Sequence, residues 1–533
     1  MSVVVDFGYQ HLAERLSVGL AVIFFAYLVK IFSAFTNPSK TAKVPEPPAV
    51  TATIPIPFLG HTIGLMRHGA EYFTKLSKSA PAPIMKLIMP GTSLYVVTAP
   101  EAVQAAYRDQ KLSLLSLSLM FLHRVGGSTA DFMNQLLGEA RLSLTENYWH
   151  DMNKVVRDQL AGGEPLRQMN SRVLEGFFNV INGVKSDVVV DDFYQWVWRS
   201  LFKAKTNALY GDHNPFKNET LIDQYWAFEE DHLNLMFRPM PNIFAKAAYQ
   251  GRAAVLTAFR EFSKYYSTRD MNDDVSSLIR NRTIVNKKWD IDHDGVAATE
   301  LSLLYGSTAN AIPTFYWMLI YIFQDATLLE ALRQEVRPIV SVGEDGVSTV
   351  DTTQLSTCPL LKSTYQETLR MISRHPGARI VEEDTTLSFS VNGSDKKTVY
   401  RLKKGSVVQM PAGLLHRSEQ TWGDDANEFN GFRFLGGTST DKATEKMRKN
   451  AYIPLGGGKH LCPGRHLSYT EILGSVVALI TGFEITGAEN ALKIPNQVHQ
   501  FGLGIVKPDT KDDLRIRIRP RNGWEDKTWD FNA

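Results

Sequence analysis

The chain of 533 residues carries 58 Lys plus Arg against 56 Asp plus Glu, a formal net charge of +2. That balance offers no global field to nucleic acid, and two cysteines, Cys358 and Cys462, are too few for a disulfide framework and suit a reducing compartment. No internal repeat and no low-complexity linker beyond residue 60 divides the chain, so one large, mainly helical unit with small β-sheets is expected.

Reading from the N-terminus, residues 16–35, "LSVGLAVIFFAYLVKIFSAF", are 20 residues with one charge, Lys30, placed where its stem can snorkel toward an interface. The run is long for a secretory signal, and no small-residue cleavage site follows it cleanly. Lys30, Lys40 and Lys43 bias its C-terminal side positive, whereas Asp6, Glu14 and Arg15 precede it. Residues 1–43 are therefore expected to be a single-pass anchor that leaves the rest of the chain in the cytosol. Residues 44–60, "VPEPPAVTATIPIPFLG", read as a stiff proline-rich hinge lifting the unit 61–533 off the bilayer.

Residues 295–323 are long and almost uncharged, the pattern of a buried central helix. Within "GSTANAIP", residues 306–313, Pro313 cannot donate to the Ala309 carbonyl, and its ring opens that turn. Such a widened helix can admit a flat ligand; a kinked core helix without one is the plainer reading. Further on, Glu367 and Arg370 stand at i and i+3 and share a helix face. Past "RHPG", "ARIVEEDTTLSFSVNG" and "TVYRLKKGSVVQMPAG" read as short strands with Gly and Asn turns. Arg433, between Phe432 and Phe434, is expected to be buried and to need an anionic partner.

The stretch "YIPLGGGKHLCPGRHLS", residues 452–468, sets Gly456, Gly457, Gly458 and Gly464 around Cys462, with Lys459, His460 and Arg465 beside it. A periodic helix begins just after the loop. Cations, backbone N–H groups and the helix dipole would there stabilise a thiolate and lower the thiol pKa. Taken alone, the stretch also reads as a Gly-rich loop with an incidental cysteine.

In this order, a kinked helix, an E-x-x-R helix, an aromatic-arginine loop and a Gly-rich cysteine loop resemble a cytochrome P450, over about residues 45–519. The family's signature F-x-x-G-x-R-x-C-x-G falls on Leu455, Gly458, His460, Cys462 and Gly464, with Leu and His replacing the usual aromatic and arginine. Glu367 and Arg370 match E-x-x-R, and Arg433 takes the third place in that ion cluster. The resemblance implies haem b with Cys462 as its axial thiolate and metal ligand, and Gly458 and Gly464 giving backbone N–H groups access to the sulfur. Arg379 and His460 fall where the family meets the haem propionates. Lys154 is a further propionate candidate, because the usual W-x-x-x-R is here Trp149 followed by Asn153 and Lys154.

The kinked helix departs from the family. Where most members carry an acid and an alcohol that deliver protons to the oxygen site, this chain has Ala309 and Asn310. "A-N-x-I-P" resembles the branch of sterol 7α- and 12α-hydroxylases and prostacyclin synthase. The implied function is hydroxylation of a lipophilic, steroid- or terpenoid-like substrate at the endoplasmic reticulum membrane, with O2 and electrons from NADPH–cytochrome P450 reductase. Isomerisation or dehydration of an oxygenated substrate by the same haem is the alternative, and a haem-binding protein without turnover is the third. No nucleic-acid partner is expected. Cys358 is expected to be an ordinary buried thiol.

Overall fold

The computed structural model describes residues 44–532, apart from residues 55, 57–58, 143–146, 239, 273, 375–376, 392–394, 437–441, 492–503 and 510–513. The anchor expected at residues 16–35 lies outside the described residues. Among the described residues no helix is long and apolar enough to cross a membrane.

The proline-rich segment does not stand free as a spacer. Its Ala49 pairs in parallel with Lys86, and Glu46 forms ion pairs of 2.6 Å with both Lys86 and Lys403. Prolines remove donors, yet the segment still presents carbonyls: Pro48 accepts from the Lys86 N–H and Pro45 from the Arg401 N–H. This part of the segment is thereby docked on the domain.

Seven helices position the site: α1 (Pro100–Arg108), α2 (Tyr148–Leu160), α3 (Glu219–Phe237), α4 (His293–Thr308), α5 (Ala311–Gln324), α6 (Pro359–Ile372) and α7 (Arg465–Gly482). Their starts follow capping chemistry. Asn147 and Asp292 accept from the N–H groups of His150 and Gly295 at the heads of α2 and α4, and prolines open α1 and α6. Cys358, at the N-cap of α6, is 1% exposed, as expected of a structural thiol.

Helices α4 and α5 are the two halves of the expected central helix, parted at Ala309 and Asn310. Pro313 supplies the cause. Below the break, the Thr314 N–H and Oγ1 both donate to the Asn310 carbonyl, restarting the ladder. Helix α5 is buried nearly all round, as its apolar sequence demands.

The two stretches read as short strands after "RHPG" form four strands, which belong to two sheets. Gly377–Val381 and Val407–Met410 join a five-stranded sheet with Ile84–Met89, Thr92–Val97 and Leu112–Ser113. Thr385–Phe389 and Thr398–Leu402 make a separate hairpin. A large helical core surrounds α4, α5 and α7, and a smaller one lies under the five-stranded sheet against α1. The architecture is mainly α with small β-sheets.

Candidate functional site

Cys462 lies two residues ahead of Gly464, the N-cap of α7, with its own N–H donating to the Leu455 carbonyl at 3.1 Å. The N–H groups of Gly464 and Arg465 point at the sulfur, and the Arg465 guanidinium holds the Cys462 carbonyl at 3.0 Å. One expectation needs correcting. Burial pushes the Cys462 thiol pKa up, and outweighs these N–H groups and the Arg465 charge, which pull it down. In this environment the thiolate needs a further partner that favours the anion.

The glycines before it act through packing. Gly458 has φ of +63°, and a Cβ there would sit 2.6 Å from the Tyr107 carbonyl oxygen; one on Gly457 would strike the Tyr107 ring at 2.5 Å. The loop thus closes onto α1. Tyr107 in turn lies under the Arg379 guanidinium, 5.2 Å from the ring centroid.

Around this contact, polar groups are buried without partners. Arg379 is 3% exposed, and burial lowers its pKa; it donates to the neighbouring Ala378 carbonyl at 2.7 Å. Among the described residues the Tyr107 hydroxyl and His460 Nε2 have no hydrogen-bond partner. Burial raises the Tyr107 hydroxyl to about 12, so it stays a donor. His460 is lowered to about 4 by burial and by the charges of Arg379, Lys459 and Arg157. A buried arginine beside orphaned polar groups able to donate is the complement of a carboxylate pair.

Lys154 does not join that cluster. Its side chain is 61% exposed and pairs with Asp158 on the solvent face of α2. The inner face of α2 carries Trp149, Asn153, Val156 and Leu160. The cation of α2 whose charge reaches His460 is Arg157, one turn beyond Asn153. Helical phase is the signal that could have found it, since Arg157 stands at i+4 from Asn153. Tyr107 carried no sequence signal.

A cavity of 470 Å³ opens between Cys462 and the break in the central helix. Asn310, Gly306 and Leu303 face it from one side, and Arg379, His460 and Cys462 from the other. The Asn310 amide caps neither helix end, and its Oδ1 lies where a Cβ on Gly504 would be 3.0 Å away. Ala309 is 4% exposed and does not line the cavity. A Cβ on Gly306 would meet nothing within 4 Å, so this face of α4 is open. A second, mostly apolar cavity of 780 Å³ shares Leu303, Gly306, Ser302, Leu114 and Val156 as lining.

Behind the loop, Glu367 and Arg370 are both 0% exposed and paired at 2.7 Å. Arg433 reaches the same carboxylate at 2.9 Å and holds Asp425 through two further bonds of 2.9 Å. Arg370 also donates to the carbonyls of His416 and Ala426, each at 2.6 Å, and of Glu428 at 3.0 Å. Every donor direction of the fork is used, which is what makes a buried arginine tolerable.

A cysteine at a helix start, a cavity beside it, and a buried arginine with unpartnered polar groups at the cavity edge fit a haem-thiolate site. The cytochrome P450 family model matches residues 50–514, and the chain belongs to that family. A cytochrome P450 monooxygenase of Gibberella zeae is 30% identical over 98% of this chain and 97% of its own length. The cytochrome P450 monooxygenase nodJ of Hypoxylon pulicicidum is 28% identical, covering 92% of each chain. A cholesterol 7-alpha-monooxygenase of Cricetulus griseus is 26% identical over 63% of this chain and 68% of its own. The solved retinoic acid-bound cyanobacterial CYP120A1 shares the fold, with a TM-score of 0.65 at 18% identity, over 90% of this chain and 100% of that one. Family and relatives make the chain an oxidoreductase of the P450 monooxygenase type with haem iron as cofactor. The orphaned donors of Tyr107 and His460, and the cavity beside Cys462, fit that group.

Proposed function

We propose that this chain hydroxylates a steroid- or terpenoid-like lipophile at a membrane, using O2 and electrons from NADPH–cytochrome P450 reductase. Cys462 would supply the thiolate to the haem iron, and Arg379, His460 and the Tyr107 hydroxyl would hold the haem propionates. The observation that carries the reading is the pair of adjoining cavities, 470 Å³ beside Cys462 and 780 Å³ of mostly apolar wall beyond it. Together they suit one haem and one rigid, apolar molecule.

Haem with a thiolate ligand supplies the electron push that favours O–O cleavage. The chain's residues do the rest. Gly464 and Arg465 aim N–H groups at the sulfur and tune its basicity. Leucine, methionine and aromatic walls exclude water from the substrate. At the helix break, the Asn310 amide both donates and accepts, so it holds a water and passes a proton where Ala309 offers no acid. The overall balance is C–H plus O2, two electrons and two protons, giving C–OH and water. Glu367, Arg370 and Arg433 are structural.

Phe237, Met240, Ile243 and Phe244 are large, exposed hydrophobic residues within one short stretch, which supports seating at the endoplasmic reticulum membrane beside the anchor expected at residues 16–35. Ala309 and Asn310 do not separate hydroxylation from rearrangement; the relatives named as monooxygenases, and the larger share of hydroxylases in the branch resembled, support hydroxylation. The test is product formation from candidate lipophiles with and without reductase and NADPH under labelled O2. Label in the product, dependent on reductase, is the expected result. Turnover without reductase and without label would replace hydroxylation by isomerisation or dehydration.

A further inference from the structure

The larger cavity is apolar except for a few groups, and one of them is held in a fixed hydrogen-bonding state. Tyr305, on α4 one residue before Gly306, lines this cavity. Its hydroxyl is 2.7 Å from His232 Nε2. The other ring nitrogen, Nδ1, is 2.8 Å from the Glu229 carbonyl, which can only accept. Nδ1 therefore carries the imidazole proton. Burial, together with the nearby Lys507 charge, lowers His232 to about 3, so the ring is neutral and Nε2 is bare. It follows that the Tyr305 O–H donates to Nε2, and the oxygen has lone pairs alone left to offer.

We propose that Tyr305, oriented by His232, is an acceptor-only subsite that takes a hydroxyl group of the substrate and discriminates against a ketone in the same place. The inference rests on the proposed function, since it names the polar handle of that lipophilic substrate. Part of the neighbouring wall agrees with it; Asn153 and Gln409 also line the cavity. Ser118, Thr299 and Ser302 donate their protons to the carbonyls of Leu114, Val296 and Ala298. The Arg282 guanidinium is bound to Glu300 and to the Thr299 carbonyl. A serine hydroxyl can turn to meet a ketone. Tyr305 can do so only by abandoning a buried imidazole, which would leave Nε2 unsatisfied.

Position gives the handle a distance. Tyr305 precedes Asn310 by five residues, about 7–8 Å along a helix axis. A hydroxyl bound at Tyr305 is therefore set more than a helix turn back from the break at Asn310.

The test is equilibrium binding to the haem-loaded full-length protein, read from the Soret shift, with no turnover needed. The probes are two matched sets: cholestanol, cholestanone and cholestane, and androstanol, androstanone and androstane. In at least one set the alcohol should bind about tenfold or more tighter than the ketone, the rejection expected when a site built for a hydroxyl loses it. Tyr305→Phe should bring that ratio close to one while haem content and the carbon monoxide spectrum stay unchanged. His232→Phe should do something a structural role would not. It releases the Tyr305 proton, so ketone affinity should rise above the wild-type value. Equal wild-type affinities, a preference that survives Tyr305→Phe, unchanged ketone affinity in His232→Phe, or no binding by either set would each overturn the proposal. The two readings also fail separately. Alcohol preference without labelled product removes the hydroxylase and leaves the subsite; labelled product without alcohol preference does the reverse.

Discussion

The two sides of the cavity solve opposite problems with similar residues. Behind Cys462, Glu367, Arg370, Arg433 and Asp425 satisfy one another at 2.7–2.9 Å and leave no donor for anything else. At the cavity edge, Arg379 and Tyr107 are also buried and His460 is half-buried, yet the Tyr107 hydroxyl and His460 Nε2 have no partner among the described residues. A saturated buried cluster stabilises one backbone arrangement. An unsaturated one costs stability until a ligand completes it, and so marks where the ligand goes. Burial alone does not separate scaffold from site; the state of the hydrogen bonds does.

The sharpest break in that contrast is at the sulfur. Cys462→Ser should abolish the thiolate-type Soret band of the carbon monoxide complex entirely, while Cys358→Ser, buried ahead of α6, should leave it intact. Next in size is the saturated cluster. Removing one member of a buried charge cluster typically costs about 3–5 kcal/mol, so Glu367→Ala should yield little haem-loaded protein, as measured by haem per chain and thermal unfolding. A stable, loaded but inactive Glu367→Ala would move this residue from the scaffold to the chemistry.

The unsaturated side should respond differently. Arg379→Ala should fold normally and release haem faster, by the ~1.5–3 kcal/mol of one hydrogen bond to a charged group, read by haem transfer to an acceptor protein. A smaller effect is expected at the helix break. Asn310→Ala should lower product per NADPH about fivefold, the weight of one neutral hydrogen bond of ~1 kcal/mol, and raise peroxide release with substrate binding retained. Lys154→Ala should be nearly silent, changing stability by less than about 0.5 kcal/mol as exposed i,i+4 pairs do. Haem loss in that variant would return Lys154 to the propionate set.

Much of the site was legible because its signals are local. Pro313 breaks a helix through its own missing N–H and ring, so the gap at Ala309 and Asn310 could be read from one residue. Glu367 and Arg370 pair through helical spacing, and Cys462 sits where a Gly-rich loop meets a helix start. The misreadings came from orientation. Lys154 and Arg157 differ by three positions on α2, and a motif register does not say that Lys154 points to solvent while the Arg157 charge is the one felt at His460. The proline-rich segment has the composition of a spacer, but three strand-like hydrogen bonds and the Glu46 ion pairs hold it down. The thiol's pKa was misread because nearby positive charge is visible in sequence, whereas the burial that outweighs it is not.

The sequence by itself determined the cysteine loop, the ion-pair helix, the broken helix and the family, because each depends on spacing within a few residues. Tertiary structure alone decided which polar groups are left incomplete. Tyr107 meets Arg379 and the glycine loop only after a helix, a strand and a loop have packed together. Tyr305 meets His232 across 73 residues of chain, and the direction of its proton is set by a carbonyl on a different helix. Hydrogen-bond direction depends on ångström-scale placement of partners distant in sequence, and no periodicity encodes that.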